Sequence, residues 1–194
     1  MNGAMRERPE ETLVEEAKRG NLDAFTELVR RVQERVYAVI YAMTRNHQDT
    51  DDLMQETYLS AYRALSGFAG RSRFSTWTHR IAVNLTLNHL KRKGREKGRT
   101  SLDESVRIPD QPGRAVPSPE GESLGNELRE RLDLAVASLP PIYRAAFTLV
   151  ALQGMAHGEA ASVLGCSENT VSWRMHKARK MLQERLKNDL WQGA

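Results

Sequence analysis

The chain has 194 residues, of which 40% are hydrophobic and 28% are charged, and its formal net charge is +4. This length suits one domain or two small ones, and no run approaches the roughly eighteen apolar residues of a membrane span. The N-terminus lacks the apolar segment of a signal peptide, and the single cysteine, Cys166, excludes an intrachain disulfide and a cysteine-rich zinc site. We therefore expect a cytoplasmic protein, and the basic balance weakly suggests a nucleic-acid partner.

The first half of the chain, residues 10–92, predicts helices throughout, because the period-two alternation of strands is missing. In the first helix, apolar residues recur at spacings of three and four, which places them on one face. After an N-terminal segment, residues 1–20, the predicted helices are one from Asn21, one from about Asp51 to Leu65, and one from near Ser75 to about Lys93, with a break at residues 46–50.

A change of character follows at residues 94–123, which hold four of the seven prolines and few apolar residues. Such a segment cannot bury enough surface to order itself alone, so it predicts a flexible linker. Helical periodicity returns over residues 124–190, with breaks at Pro140-Pro141, at Gly154 and at Gly165. The chain is therefore predicted to be all-α, with two small helical domains, residues 21–93 and 124–190, joined by the linker.

The clearest local signal is a helix-turn-helix near the C-terminus. A short helix ends at Gly165, which suits the left-handed position after a helix, and Ser167 then caps a second helix with Glu168 in its first turn. Two helices joined by such a tight turn are typical of DNA-binding proteins. Cys166 fills the turn as a small apolar residue, and a redox role for it is the less favoured alternative.

The second helix of this motif has two unlike faces at about 100° per residue. Its apolar face should pack on the domain, and it is formed by Val171, Met175, Ala178 and Leu182. The other face combines hydrogen-bonding groups, cations and an aromatic ring, which suits a major groove. Alternatively this face is only solvated, or Trp173 packs on the other domain. The predicted duplex-DNA residues are Ser167, Asn169, Thr170, Ser172, Trp173, Arg174, His176, Lys177 and Lys180.

The first domain has a second candidate DNA surface. Apolar stripes are predicted on both sides of its third helix, with a polar strip that includes Asn84 between them, and a glycine-rich loop with arginines and aromatics precedes it. Aromatics interleaved with arginines suit single-stranded DNA, and Asn84 could read the edge of a base tipped out of the stack. The alternative is that Phe68, Phe74 and Trp77 are core residues. The predicted set is Phe68, Arg71, Arg73, Phe74, Trp77, Arg80, Asn84, Asn88, Lys91 and Arg92.

An acidic helix face predicts a different partner. Residues 49–56 carry four acids and no base, so this face should repel DNA and meet a basic protein surface. The predicted protein-binding residues are Asp49, Asp52, Gln55, Glu56 and Leu59. The alternatives are an ordinary solvated face and, much less favoured, a carboxylate metal site, since the histidines are scattered.

These segments, in this order, resemble the small extracytoplasmic-function (ECF) subfamily of the bacterial sigma-70 family of RNA polymerase sigma factors. The phrases that carry the resemblance are DAFTELVRR, DTDDLMQETYLSAYRAL, FAGRSRFSTWTHRIAVNLTLNHLKR, AVASLPPIYRAAFTL and AASVLGCSENTVSWRMHKARKML. The ordered set is specific, although none of the phrases is decisive alone. It spans about residues 10–92 and 124–188, nearly everything but the linker.

The resemblance implies a specificity subunit of core RNA polymerase rather than an enzyme, with no cofactor, no metal and no small-molecule substrate. The acidic helix would bind the coiled coil of the largest polymerase subunit, and the flap is a further expected contact. The Phe68–Phe74 loop and Asn84 would capture a flipped base of the −10 element, Lys91 and Arg92 would hold its backbone, and the helix from Ser167 would read the −35 element as duplex. An anti-sigma factor is an expected partner, and the protein itself is not membrane-inserted.

Three features depart from the usual family pattern. Arg71 stands where many relatives have an acid, the helix-turn-helix is entered by His157-Gly158-Glu159-Ala160-Ala161, and Trp173 replaces a residue that is commonly small. The preferred promoter bases therefore cannot be transferred from relatives. The alternative functions are a stand-alone helix-turn-helix regulator, which needs a dimer interface or an effector pocket, and a nucleic-acid enzyme, which needs paired carboxylates or metal ligands near the basic face.

Overall fold

The computed structural model describes residues 7–100 and 123–192, with side chains described for residues 7–96 and 131–187. Throughout these ranges the regular structure is helical, as predicted, and residues 101–122 of the predicted linker lie outside the described part. None of the described helices is long and apolar enough to cross a membrane. The helices are α1 (Glu10–Lys18), α2 (Leu22–Thr44), α3 (His47–Ala64), α4 (Phe74–Thr100), α5 (Ser123–Ser138), α6 (Pro141–Phe147), α7 (His157–Leu164) and α8 (Glu168–Gln192).

Short irregular turns extend two of these helices: a 3₁₀ turn, Leu65–Gly67, follows α3, and a π-helical turn, Thr148–Leu152, follows α6. The predicted break at residues 46–50 is shorter than expected and lies at Arg45 and Asn46, because α2 ends at Thr44 and α3 already begins at His47. Its cap is Asn46, whose side-chain oxygen accepts a hydrogen bond from the Asp49 backbone N–H at 2.8 Å. Asparagine is among the best residues for this position, so the polar cluster starts a helix instead of interrupting one.

The first core is enclosed by α1 to α4. The apolar face predicted for α2 is buried at Leu28, Val32, Val36 and Ile40, and it meets Leu13 of α1. Because Leu13, Val14 and Ala17 are 0–5% exposed, α1 belongs to this packing although its sequence was assigned to a separate N-terminal segment. Helices α1 to α4 therefore form one packed unit.

A second core joins the two halves of the chain. Val39 and Met43 of α2 and Val83 of α4 are fully buried in the same cluster as Leu149 and Met175 from the C-terminal half. Residues from both predicted domains therefore bury one another, which the sequence did not indicate. A smaller core, around Ala135, Val136, Leu139, Ala178 and Leu182, joins α5 to α8.

Arg144 of α6 strengthens the junction between the halves. Its guanidinium donates hydrogen bonds to the carbonyl oxygens of Met43 (2.6 Å) and Leu139 (2.9 Å), and also to that of Ala137. Burial lowers the pKa of this guanidinium, because leaving water disfavours its charged form. The carbonyls at the ends of α2 and α5 thus obtain a donor that their own helices do not supply.

Glu27 makes part of the stability of the first core depend on pH. It is 7% exposed and accepts hydrogen bonds from Arg30 and Arg31 at 2.8–2.9 Å. The Arg30 hydrogen bond, offset in part by burial and reinforced by Arg31, lowers the pKa of Glu27 from 4.5 to about 2. A carboxylate whose pKa is lower in the folded state stabilises the fold above its unfolded-state pKa and loses that contribution as pH falls toward the folded value.

We therefore expect Glu27→Gln to lower the free energy of unfolding at neutral pH. The difference from the wild type should shrink as pH falls from about 4.5 toward 2. Urea denaturation across this range measures it, with the exposed Glu34→Gln as the control. A deficit that is the same at all these pH values would exclude the role of the ionised carboxylate.

Candidate DNA-binding and polymerase-binding faces

The predicted helix-turn-helix is formed by α7 and α8. Gly165 ends α7 with φ 62° and ψ 38°, the left-handed conformation that glycine adopts without steric cost. The Ser167 hydroxyl accepts a hydrogen bond from the Thr170 N–H at 3.2 Å, which caps α8 as predicted. The turn thereby fixes the angle at which α8 leaves the domain.

The two faces of α8 are confirmed by burial. Val171, Met175, Ala178 and Leu182 are 0–6% exposed and pack on the domain. The side chains predicted to contact duplex DNA lie on the other side. Asn169, Ser172, Trp173, His176, Lys177 and Lys180 are exposed with Ser167, whereas Thr170 and Arg174 are half-buried. The exposed face therefore combines donors, acceptors and cations along one helix.

Trp173 is held in place on this exposed face. It is 51% exposed, its ring meets Tyr143 of α6 edge-on with the centroids 5.8 Å apart, and the Lys177 ammonium lies 5.9 Å from its centroid. Its described ring contact is therefore within the C-terminal half and not with the first domain. The Ser172 hydroxyl is similarly held by the His157 ring at 2.9 Å. These contacts orient the face before any DNA arrives.

The polar strip of α4 also lies where it was predicted. Trp77 and Leu85 pack on the first core, and Val83 and Leu90 contribute to the shared one, so apolar contacts flank both sides of the helix. The predicted polar residues of α4 are exposed: Arg80, Asn84, Asn88, Lys91 and Arg92. This strip is therefore the open edge of an otherwise covered helix.

The loop before α4 corrects one prediction. Phe68 and Phe74 are 6% and 0% exposed, and their rings pack against each other, with centroids 6.2 Å apart. They belong to the first core and do not present faces on which bases could stack. Trp77 is half-buried, 4.9 Å from the Phe68 ring. Arg71 and Arg73 are exposed, so the loop presents two cations to solvent while its aromatic side chains pack against the protein.

The acidic face of α3 is exposed at four of its five predicted residues: Asp52, Gln55, Glu56 and Leu59. The fifth, Asp49, is committed within the molecule, because its carboxylate accepts a hydrogen bond from Lys93 at 2.6 Å and lies 3.4 Å from His89. Partial burial raises the pKa of Asp49, but Lys93 and His89 together outweigh burial and leave that pKa below its ordinary value. Asp49 thus ties α3 to α4.

Helix α4 and the loop before it meet α7, the first helix of the helix-turn-helix, across the junction between the halves. Thr76 of α4 donates a hydrogen bond to Glu159 of α7 at 3.1 Å, and Arg45 pairs with Asp133 at 3.1 Å. A cleft of about 390 Å³ lies between the loop and the helix-turn-helix, with Arg71, Arg80 and Cys166 in its walls. Local sequence patterns do not indicate these two contacts, because they join residues 83 and 88 positions apart.

Comparison with known proteins matches two segments of the chain to family models. The family model for Sigma-70 region 2 matches residues 28–96, and that for Sigma-70 region 4 matches residues 129–182. The ECF RNA polymerase sigma-E factor of Escherichia coli (strain K12) is 34% identical over 180 residues, which is 91% of this chain and 94% of the relative. The chain belongs to the ECF subfamily of the sigma-70 family.

Two solved structures share the fold of this sigma factor. CnrH in complex with the cytosolic domain of CnrY is 26% identical, with a TM-score of 0.66 over 93% of this chain and 98% of that one. The sigma factor RpoE of Bartonella quintana, in complex with the anti-sigma factor NepR, shares the fold at 23% identity, with a TM-score of 0.65 over 84% of this chain and 96% of that one. The exposed faces described above are therefore those of an RNA polymerase sigma factor.

Proposed function

We propose that this sigma factor reads a promoter at two places, with α8 on the −35 duplex and with α4 and its preceding loop on the melted −10 strand. The observation that carries the proposal is the exposure of two separate polar and cationic helix faces. Their opposite sides are buried, so both faces have fixed orientations. On the second helix of a helix-turn-helix, exposed hydrogen-bond donors suit the base edges of the major groove and exposed cations suit the phosphates.

The energetics favour a sequence of steps. Duplex reading by α8 positions the complex, and the linker then presents α4 to the DNA at a high effective concentration. Unstacking and unpairing a base costs a few kcal/mol. Since Phe68 and Phe74 are buried, base capture rests on Asn84, on the cations Arg71, Arg73 and Arg80, and on the accessible part of Trp77.

The acidic face of α3 is proposed to bind the coiled coil of the largest subunit of core polymerase, while the C-terminal half contacts the flap. The exposed carboxylates Asp52 and Glu56 support this assignment, because like charge keeps them from DNA and favours a basic protein surface. In this proposal the protein has no catalytic role of its own, because the polymerase carries out the chemistry. The chain would work in the cytoplasm, where the polymerase is.

An anti-sigma factor is proposed as the protein that controls this one. Support comes from a structural neighbour, the sigma factor RpoE of Bartonella quintana, whose structure was solved with the anti-sigma factor NepR. The faces that such an inhibitor would have to block are those assigned here to polymerase and DNA.

Run-off transcription tests the proposed function. Core polymerase is mixed with the protein and fragmented genomic DNA of its host, and the transcripts are sequenced. We expect discrete protein-dependent start sites that share two upstream motifs. DNA binding without core, together with no protein-dependent start, would instead identify a stand-alone regulator.

Asn84→Ala is expected to leave core binding unchanged and to reduce open-complex formation by about tenfold, the size of one lost base contact of 1–3 kcal/mol. Asn84 is exposed on α4, so its replacement should not disturb the first core or the core that joins the two halves. Permanganate reactivity of the melted region measures the effect, with the exposed Gln33→Ala on α2 as control. Wild-type reactivity in Asn84→Ala would remove Asn84 from base capture.

A further inference from the structure

Helix α1 is fixed firmly on the first domain. Its apolar side, Leu13, Val14 and Ala17, is buried against α2. Arg31 of α2 donates a hydrogen bond to the backbone oxygen of Arg8 at 2.9 Å, and Arg8 pairs with Glu16. The start of α1 is therefore held at a defined position relative to α2.

From this position α1 supplies a cap to another helix. The Glu10 carboxylate accepts a hydrogen bond from the backbone N–H of Phe74 at 2.8 Å, across 64 residues of sequence. Phe74 is the first residue of α4, and the first four N–H groups of a helix have no partner within it. The residue before it, Arg73, is not among the side chains that favour the capping position, so Glu10 provides the acceptor.

The charge of Glu10 suits this place. A carboxylate is favoured at the positive end of a helix dipole, whereas the same carboxylate beside a DNA strand would repel phosphate. The hydrogen bond directs it to the helix end. Glu10 is therefore placed to stabilise the start of α4, and its negative charge opposes direct contact with the nucleic acid.

The loop of residues 68–73, which is proposed to receive the −10 strand, ends at the capped residue, Phe74. The Phe74 ring is fully buried between Phe25, Phe68 and Trp77, with centroids 5.7–6.4 Å away, and Arg73 precedes it on the surface. A cleft of about 270 Å³ separates α1 from the loop around Gly70. Because open space lies behind the loop, its position depends on how its end at Phe74 is held.

We propose that Glu10 is a positioning residue for −10 capture: by capping α4 it holds the loop of residues 68–73 in the geometry that receives the melted strand. This rests on the proposed function of that loop and of α4. Glu10 acts through Phe74 and the loop and does not itself contact DNA.

The test compares Glu10→Ala, Glu10→Gln and the neighbouring Glu11→Ala in holoenzyme formed with core polymerase. The probe is a promoter from the run-off experiment, opened by mismatches at its −10 element. We expect Glu10→Ala to bind this bubble about fivefold more weakly, because binding must then supply the free energy with which the helix cap held the loop. Glu10→Gln should bind it close to the wild-type level, because the glutamine oxygen can accept the same hydrogen bond. Glu11 is exposed, so its variant should match the wild type.

Two controls distinguish the positioning of the loop from a general destabilisation of the protein. All binding is measured below the thermal midpoints of the variants, and a duplex that carries only the −35 element is bound in parallel. Wild-type bubble affinity in Glu10→Ala, an equal loss in Glu11→Ala, or an equal loss on the −35 duplex would each overturn the proposal. Failure of the wild-type holoenzyme to start at any promoter would instead refute the proposed function.

Discussion

Cross-linking the two halves of the protein is expected to abolish promoter-specific transcription. The −10 and −35 elements lie about 25 base pairs apart, which is about 85 Å at 3.4 Å per base pair. A compact chain of 194 residues has a radius of gyration of only about 16 Å. The packed arrangement, in which α4 contacts α7, therefore cannot reach both elements at once, and the halves must separate on the promoter.

Ser72 and Ser162 line opposite sides of the cleft between the halves, so cysteines at these positions can be joined by a short bis-maleimide. Cys166 lines the same cleft and is first replaced by serine. Transcription by the holoenzyme formed from cross-linked protein is measured against the same variant treated with a monofunctional maleimide. The cross-linked form should fall to background, and activity at the level of the control would mean that the halves need not part.

Charge reversal of the acidic face, Asp52→Arg with Glu56→Arg, is expected to weaken binding to core polymerase by at least tenfold, because like charges across an interface cost several kcal/mol. Both side chains are exposed on α3. Asp49 is left intact, since it holds Lys93 and its loss would loosen α3 from α4. All steps after core binding should fail in proportion.

The matched control for this variant is Asp51→Arg with Glu34→Arg, which changes the net charge equally. Both residues are exposed, and Asp51 faces the Tyr37 side of α3, where its charge helps to raise the Tyr37 pKa after the larger effect of burial. A pull-down with core polymerase at two salt concentrations compares the two variants. Equal affinities would show that the face is only solvated.

Local pattern was sufficient for the parts of the fold that depend on neighbouring residues. Gly165, the Ser167 cap and the buried face of α8 were all predictable, because turn chemistry and helical periodicity act within a few residues. The start of α3 at His47 was missed although its signal, Asn46 as a cap, was present. That cluster of polar residues was interpreted as a break because no apolar periodicity ran through it.

The errors at the candidate sites have a different origin. The sequence shows that Phe74 and Trp77 lie near arginines, but it cannot tell whether protein or DNA covers these rings, and here protein covers Phe74 completely. The pairing of Asp49 with Lys93 and the capping of Phe74 by Glu10 join residues 44 and 64 positions apart. Such contacts depend on how helices pack, which periodicity alone does not determine.

The shared core around Val39, Met43 and Val83 also has a consequence for heat denaturation. Because these residues pack with Leu149 and Met175, neither half can unfold without exposing apolar surface of the other. The free protein should therefore melt in one cooperative transition, with equal calorimetric and van't Hoff enthalpies. A partner that draws the halves apart would divide this unit into two that melt independently.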